Sequence, residues 1–183
     1  DNDGICDELE IAGCTDESAL NFDEDATDHD ESCAWVGSNC EVSDALFEVV
    51  NELSILPFEP SEVTFGQDTT VNLVVALPAV VSEPASGNPF NAISFAIENI
   101  QGVPPGMNAE SLPPTILAAG TACLALEGTP QQEGWFDLSI EGQLTVSLFG
   151  QPLSLGEVSV THPVFVGANP NPIPGCTYPW SVN

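Results

Sequence analysis

The sequence predicts an all-β fold, an antiparallel β-sandwich preceded by a small acidic, calcium-binding module. Three observations carry that expectation. From about residue 41 onward, apolar and polar residues alternate at period two, the pattern of strands with one buried face. Those runs are short and are punctuated by 16 Pro and 12 of the chain's 15 Gly, which supply the turns of an antiparallel sandwich. The acids, by contrast, crowd at one end, where residues 1–33 hold 13 of the 28 Asp and Glu. This break divides the chain into an acidic module (1–39), a sandwich (40–170) and a last segment (171–183).

In chain order, "DNDGICDELE" fits the later positions of a calcium loop of the form D-x-D-x-D-G-x-x-x-D-x-x-E, give or take one residue. Asp1 and Asp3 precede the turn glycine Gly4, the Ile5 carbonyl is a candidate ligand, and Asp7 and Glu10 follow. Calcium takes six to eight oxygens, and carboxylates at alternate positions around a tight turn supply them. The bland alternative is a solvated acidic linker. "NFDEDATDHDESC" offers a second set, with Asn21, Asp23 and Asp25 at alternate positions, then Asp28 and Asp30. Like charges this dense repel unless a cation sits among them. The alternative here is a loop of exposed acids. His29 is expected to be exposed, because a hard cation prefers carboxylate oxygen to imidazole.

Charge excludes several function classes. The chain of 183 residues has no Lys or Arg, where an average composition would give roughly twenty. Phosphate binding needs cations to displace counterions, so nucleic acid is not a partner, nor is an anionic membrane surface. No apolar run reaches the roughly 18 residues that span a bilayer, and nothing reads as a signal peptide, so a mature segment without membrane insertion is expected. The six cysteines show no C-x-x-C spacing, and with two histidines a zinc site is not expected. An acidic, disulfide-capable chain reads as extracellular, secreted or cell-surface. Having no Lys or Arg, it offers trypsin-like proteases no cleavage site.

"GCTDESALNFDEDATDHDESC" (13–33) resembles the short GCTD-type acidic repeat of very large secreted and surface proteins of Bacteroidota, where the module recurs in tandem. It departs from that pattern with Glu24 where Pro is common and Glu31 where Gly is common. The resemblance implies a Cys14–Cys33 disulfide, worth roughly 3 kcal/mol to a segment with almost no core. The last residues, "GCTYPWSVN" (175–183), repeat the opening of that motif. Gly13, Cys14, Thr15 and Asn21 align with Gly175, Cys176, Thr177 and Asn183, a shift of 162 residues. On this reading a new copy starts at residue 175, "DNDGIC" is the tail of a preceding one, and Cys6 and Cys176 have partners outside this segment or in a neighbouring copy of it.

The larger part begins with "DALFEVVNELSIL" (44–56), whose apolar residues fit both helical and alternating spacing; an extended or short mixed segment is expected. Residues 70–81, 92–100, 121–128, 134–150 and 156–167 read as strands. Pro104-Pro105-Gly106 marks a sharp turn, Gly128-Thr129-Pro130 ends one strand and Gly134 starts the next. "GVPPGMNAE" (102–110) with "CLALEGTPQQEGWFDLSIEG" (123–142) resembles the LPPG…GTP…G pattern of immunoglobulin-like domains in secreted bacterial proteins, including those of Bacteroidota. The resemblance implies an immunoglobulin-like sandwich, with Trp135 at a position usually Tyr. Pairing Cys40 with Cys123 would tie the chain entering the sandwich to a central strand; a free, buried Cys123 is the alternative.

No nucleophile motif is present, and His162 stands alone before Pro163, so the chain is not expected to be an enzyme. The expected function is a structural repeat unit of a long extracellular stalk, fibre or filament, stiffened by calcium and disulfides, with neighbouring copies as partners. The alternative is an adhesin module that holds a glycan or protein through sandwich loops bearing Trp35, Phe58, Phe90 and Trp180.

Overall fold

The computed structural model describes residues 10–35, 40–43, 45–82 and 87–168. In chain order the elements are β1 (Ala12–Gly13), β2 (Asp28–His29), α1 (Leu46–Val49), β3 (Ser54–Leu56), β4 (Ser61–Thr64), β5 (Thr69–Leu77), β6 (Val80–Ser82), β7 (Pro89–Gln101), β8 (Met107–Leu112), β9 (Thr115–Leu117), β10 (Gly120–Gly128), β11 (Gly134–Leu148) and β12 (Gln151–Gly167). One sheet runs β3-β5-β10-β8; the other runs β4-β12-β11-β7-β6, with β9 also on β7. They pack face to face as an immunoglobulin-like sandwich. Every pairing in the two sheets is antiparallel except β4 with β12.

Alternation explains the core. Along β11, Leu138, Ile140, Gly142, Leu144 and Val146 are buried while the alternate residues between them face outward. Their apolar side chains meet Leu73, Val75, Leu124 and Leu126 of the opposite sheet around Phe95, which is fully buried. Each such side chain contributes about 1.5–3 kcal/mol of burial.

Where strand limits differ from the sequence reading, the backbone gives the reason. The run 70–81 is two strands: β5 ends at Leu77 in the four-stranded sheet and β6 begins at Val80 in the six-stranded one. Pro78 lies between them, and lacking an N–H it cannot continue a ladder. The run 134–150 stops at Leu148, where Phe149 and Gly150, both at positive φ (51° and 78°), turn the chain into β12. The ambiguous segment 44–56 is mixed, a single helical turn followed by β3.

The two turn motifs of the sandwich also meet. Met107 N–H donates to the Pro104 carbonyl at 3.0 Å and Gln131 N–H to the Pro105 carbonyl at 2.7 Å. A Cβ at Gly106 would sit 2.3 Å from the Thr129 oxygen, and one at Gly128 would sit 2.6 Å from the Gly106 oxygen. Both glycines are at positive φ, so backbone approach and turn geometry each require them.

Candidate functional site

The acidic module is organised by backbone bonds and one bridge. β1 and β2 form a short parallel pair, Ala12 beside Asp28 and Gly13 beside His29. The Thr27 and Asp28 N–H groups donate to the Ile11 carbonyl at 2.9 and 3.1 Å, and Asp23 N–H donates to the Cys14 carbonyl at 2.9 Å. A Cβ on Gly13 would come within 3.0 Å of the Ala26 side chain, so a larger residue there would have to displace it. Cys14 and Cys33 are bonded at 2.05 Å and nearly buried. Closing that loop holds a segment with little apolar surface of its own.

The acids of the second set serve the turns around them. Asp23 Oδ1 accepts from Asp25 N–H at 3.0 Å, and Asp30 Oδ1 accepts from Ser32 N–H at 2.9 Å. Asn21 bridges to the end of the module: its Nδ2 donates to the Ser32 carbonyl at 2.9 Å and its Oδ1 accepts from Ala34 N–H at 2.7 Å. Hydrogen bonds from Ser32 hold the Asp30 carboxyl below its ordinary range, and those from Ser18 do the same for Asp16. Asp28 lies in β2, and His29 beside it is exposed. Among the described residues, no three Asp, Glu, His or Cys side chains are grouped so that one cation reaches them all. Asp23 and Asp30 thus each accept from the backbone two residues on, which supports the turns that follow them.

Of the first loop, Glu10 is described; Asp1, Asp3, Ile5 and Asp7 lie outside the described residues, as do Cys6 and Cys176. Glu10 carries a notable atom. Its Oε1 is buried and has no hydrogen-bond partner. A buried carboxylate oxygen without a donor is costly, and a cation is one way to offset that cost.

The module joins the sandwich through a second apolar cluster. Leu46, Val50, Leu56, Val74 and Ala76 are buried together, with Leu20 of the module, Val42 and Phe47 packed against them. Thus α1 covers the outer side of β3 and β5. The Trp35 and Ser43 backbones bond at 3.1 Å, and Cys40 is bonded to Cys123 of β10. The pairing of Cys40 with Cys123 is therefore the one present, and Cys123 is not a free thiol. Its Cα atoms are 5.5 Å apart, across 83 residues of sequence. Helical spacing of Leu46 and Val50 was the sequence signal for this cluster, although nothing in the spacing named the sheet face beneath it. Beside the bridge lies a shallow groove of about 220 Å³ lined by Asn108, Glu110, Cys123, Ala125 and Glu127.

Two further positions bear on function. His162 is 2% exposed, with Nε2 2.9 Å from Ser61 Oγ, and desolvation lowers its pKa. Both residues are buried in the sandwich. The loop aromatics Trp35 and Phe58 are about half exposed and Phe90 is half-buried against the core; Trp180 lies outside the described residues. Trp135 is the more open ring, at 64% exposure. Strand alternation, with Leu138 and Ile140 inward, was the sequence signal that it faces out.

Among the described residues, no helix is long and apolar enough to cross a membrane. No family model matches the chain, and no curated protein matches it. Among solved structures, the ASH / PapD-like domain of human CEP192 (PapD-like domain 7) is similar at 12% identity, over 64% of this chain and 87% of that chain, with a TM-score of 0.20.

Proposed function

We propose that this chain is a structural repeat unit of a long extracellular stalk, fibre or filament, with neighbouring copies of itself as partners. The observation that carries the reading is the clamped joint. A disulfide at Cys40–Cys123 and the apolar cluster of Leu20, Leu46 and Val50 on Leu56, Val74 and Ala76 fix the acidic module on the sandwich. A linker that served only as a tether would need neither. A unit that transmits its orientation to the next one needs both, because a loose joint would let successive units swing. The recurrence of the GCT motif 162 residues downstream supplies the repeat length. Two disulfides support an oxidising, extracellular setting.

Calcium is part of the proposal, at the first loop. Asp1, Asp3, the Ile5 carbonyl, Asp7 and Glu10 would hold it, and the orphaned Glu10 Oε1 is the observed group that fits. A bound cation would relieve repulsion among 13 acids that have no basic partner in the chain. Calorimetry of the unit in calcium and in EDTA at matched ionic strength tests this. Binding to the folded loop alone stabilises by about 2.7 kcal/mol at a hundredfold excess over Kd. The transition of the acidic module should rise in calcium while that of the sandwich stays put. Superimposable traces would remove calcium from the account.

A further inference from the structure

A second surface lies on the outer side of the six-stranded sheet, on the face of β11 opposite the core. Leu138 and Ile140 are fully buried, so alternation turns Trp135, Asp137 and Glu141 away from the core. Trp135 lies against Phe165 of β12, its register partner, with ring centroids 4.8 Å apart and planes tilted by 38°. Phe165 supports the indole, which is 64% exposed. Farther along the same face, Glu141 Oε2 accepts from Gln101 Nε2 at 2.7 Å and from Asn99 Nδ2 at 3.1 Å. Both amides belong to the adjacent strand β7. This ties three polar side chains into one row and leaves Glu141 Oε1 and the two amide oxygens for other partners. Six residues separate Trp135 from Glu141, about 20 Å along a strand.

We propose that this face binds an uncharged glycan chain, Trp135 stacking on the C–H side of one sugar ring and the Glu141–Gln101–Asn99 row receiving hydroxyls of another. A sugar ring has an apolar C–H side and a rim of hydroxyls, and the face presents an open aromatic ring and fixed hydrogen-bonding groups in line. Charge complementarity selects the ligand. Asp137 and Glu141 lie on this face, and the chain has no Lys or Arg to receive an anion, so uronic or sulfated glycans are repelled. Carboxylate and amide oxygens instead accept from hydroxyl donors. A basic peptide would also match the charge, but a cage for a cation needs aromatic faces on several sides. Here Trp135 has Phe165 beside it, and its exposed indole suits stacking on the C–H side of a sugar ring. This site lies on the sheet face instead of the loops, and it holds whether or not the units assemble into a stalk.

The test is a calorimetric titration of the intact chain with uncharged hexasaccharides of glucose, mannose, xylose and N-acetylglucosamine, beside hexagalacturonate and hexa-arginine. At least one uncharged oligosaccharide should bind, and Trp135→Ala should weaken it about tenfold, the effect of losing one stacked ring. Trp35→Ala should leave binding unchanged. Trp135 is exposed, so the substitution should leave the fold intact; should it not, Gln101→Ala reads the same site and should weaken binding several-fold. Three results would overturn the proposal: no uncharged oligosaccharide binding at millimolar concentration, binding that Trp135→Ala and Gln101→Ala leave unaltered, or binding of hexa-arginine alone, which would assign the face to a basic protein segment.

Discussion

Cys40 and Cys123 bring their Cα atoms within 5.5 Å of each other across 83 residues, and the bridge sits over the apolar cluster that seats the acidic module. Closing so long a loop removes entropy from the unfolded chain, worth about 4 kcal/mol. Replacing both cysteines with serine should lower the unfolding free energy by about that amount, as measured by urea titration. The same variant should become sensitive to a glutamate-specific protease near Glu41 and Glu48. A loss below about 1 kcal/mol, with no new cleavage, would mean that packing alone holds the joint.

Glu31 adopts φ 65°, the left-handed region, on the approach to Cys33. A non-glycine residue there costs about 1–2 kcal/mol, part of which glycine returns through its larger unfolded-state entropy. Glu31→Gly should therefore raise the stability of the module by about 0.5–1 kcal/mol. Glu31→Gln, which removes the charge and keeps the Cβ, should give a smaller gain. Equal gains would place the cost in charge repulsion.

Ser61 and His162 form a hydrogen bond inside the sandwich, and burial lowers the imidazole pKa from its ordinary 6.5. The unfolded chain then takes up a proton near pH 6.5 that the folded chain resists. The contribution of His162 to stability is complete above pH 6.5 and declines as pH falls below it toward the lower folded value, by at most about 1.4 kcal/mol per pH unit. Wild-type stability should fall between pH 7 and pH 5.5, and the slope should flatten in His162→Asn. Parallel pH profiles would contradict the assignment.

The sandwich was legible in the sequence wherever a strand has one buried face. Leu138, Ile140, Leu144 and Val146 announce β11, and Leu73 with Val75 announces β5. Short or peripheral strands were not, because β3, β4 and β9 hold three or four residues each, too few to show a period. The Cys14–Cys33 pairing implied by the repeat resemblance is present in the structure. The role of the acids was the least legible. An aspartate that accepts a backbone N–H two residues on, as Asp23 and Asp30 do, occupies the same alternate spacing as a calcium ligand. Glu10 was readable as a candidate ligand from its spacing, but its buried oxygen without a donor was not.

The central claim is that successive units are held in a fixed orientation. It is tested most directly by small-angle X-ray scattering on a chain in which residue 174 runs into a second copy of residue 13, repeating the 162-residue period. With disulfides intact, its maximum dimension should be about twice that of one unit, with the distance distribution of a stiff rod. A reductant should broaden that distribution as the joint loosens. A broad, flexible distribution already present with disulfides intact, and unaltered by reduction, would contradict the stalk.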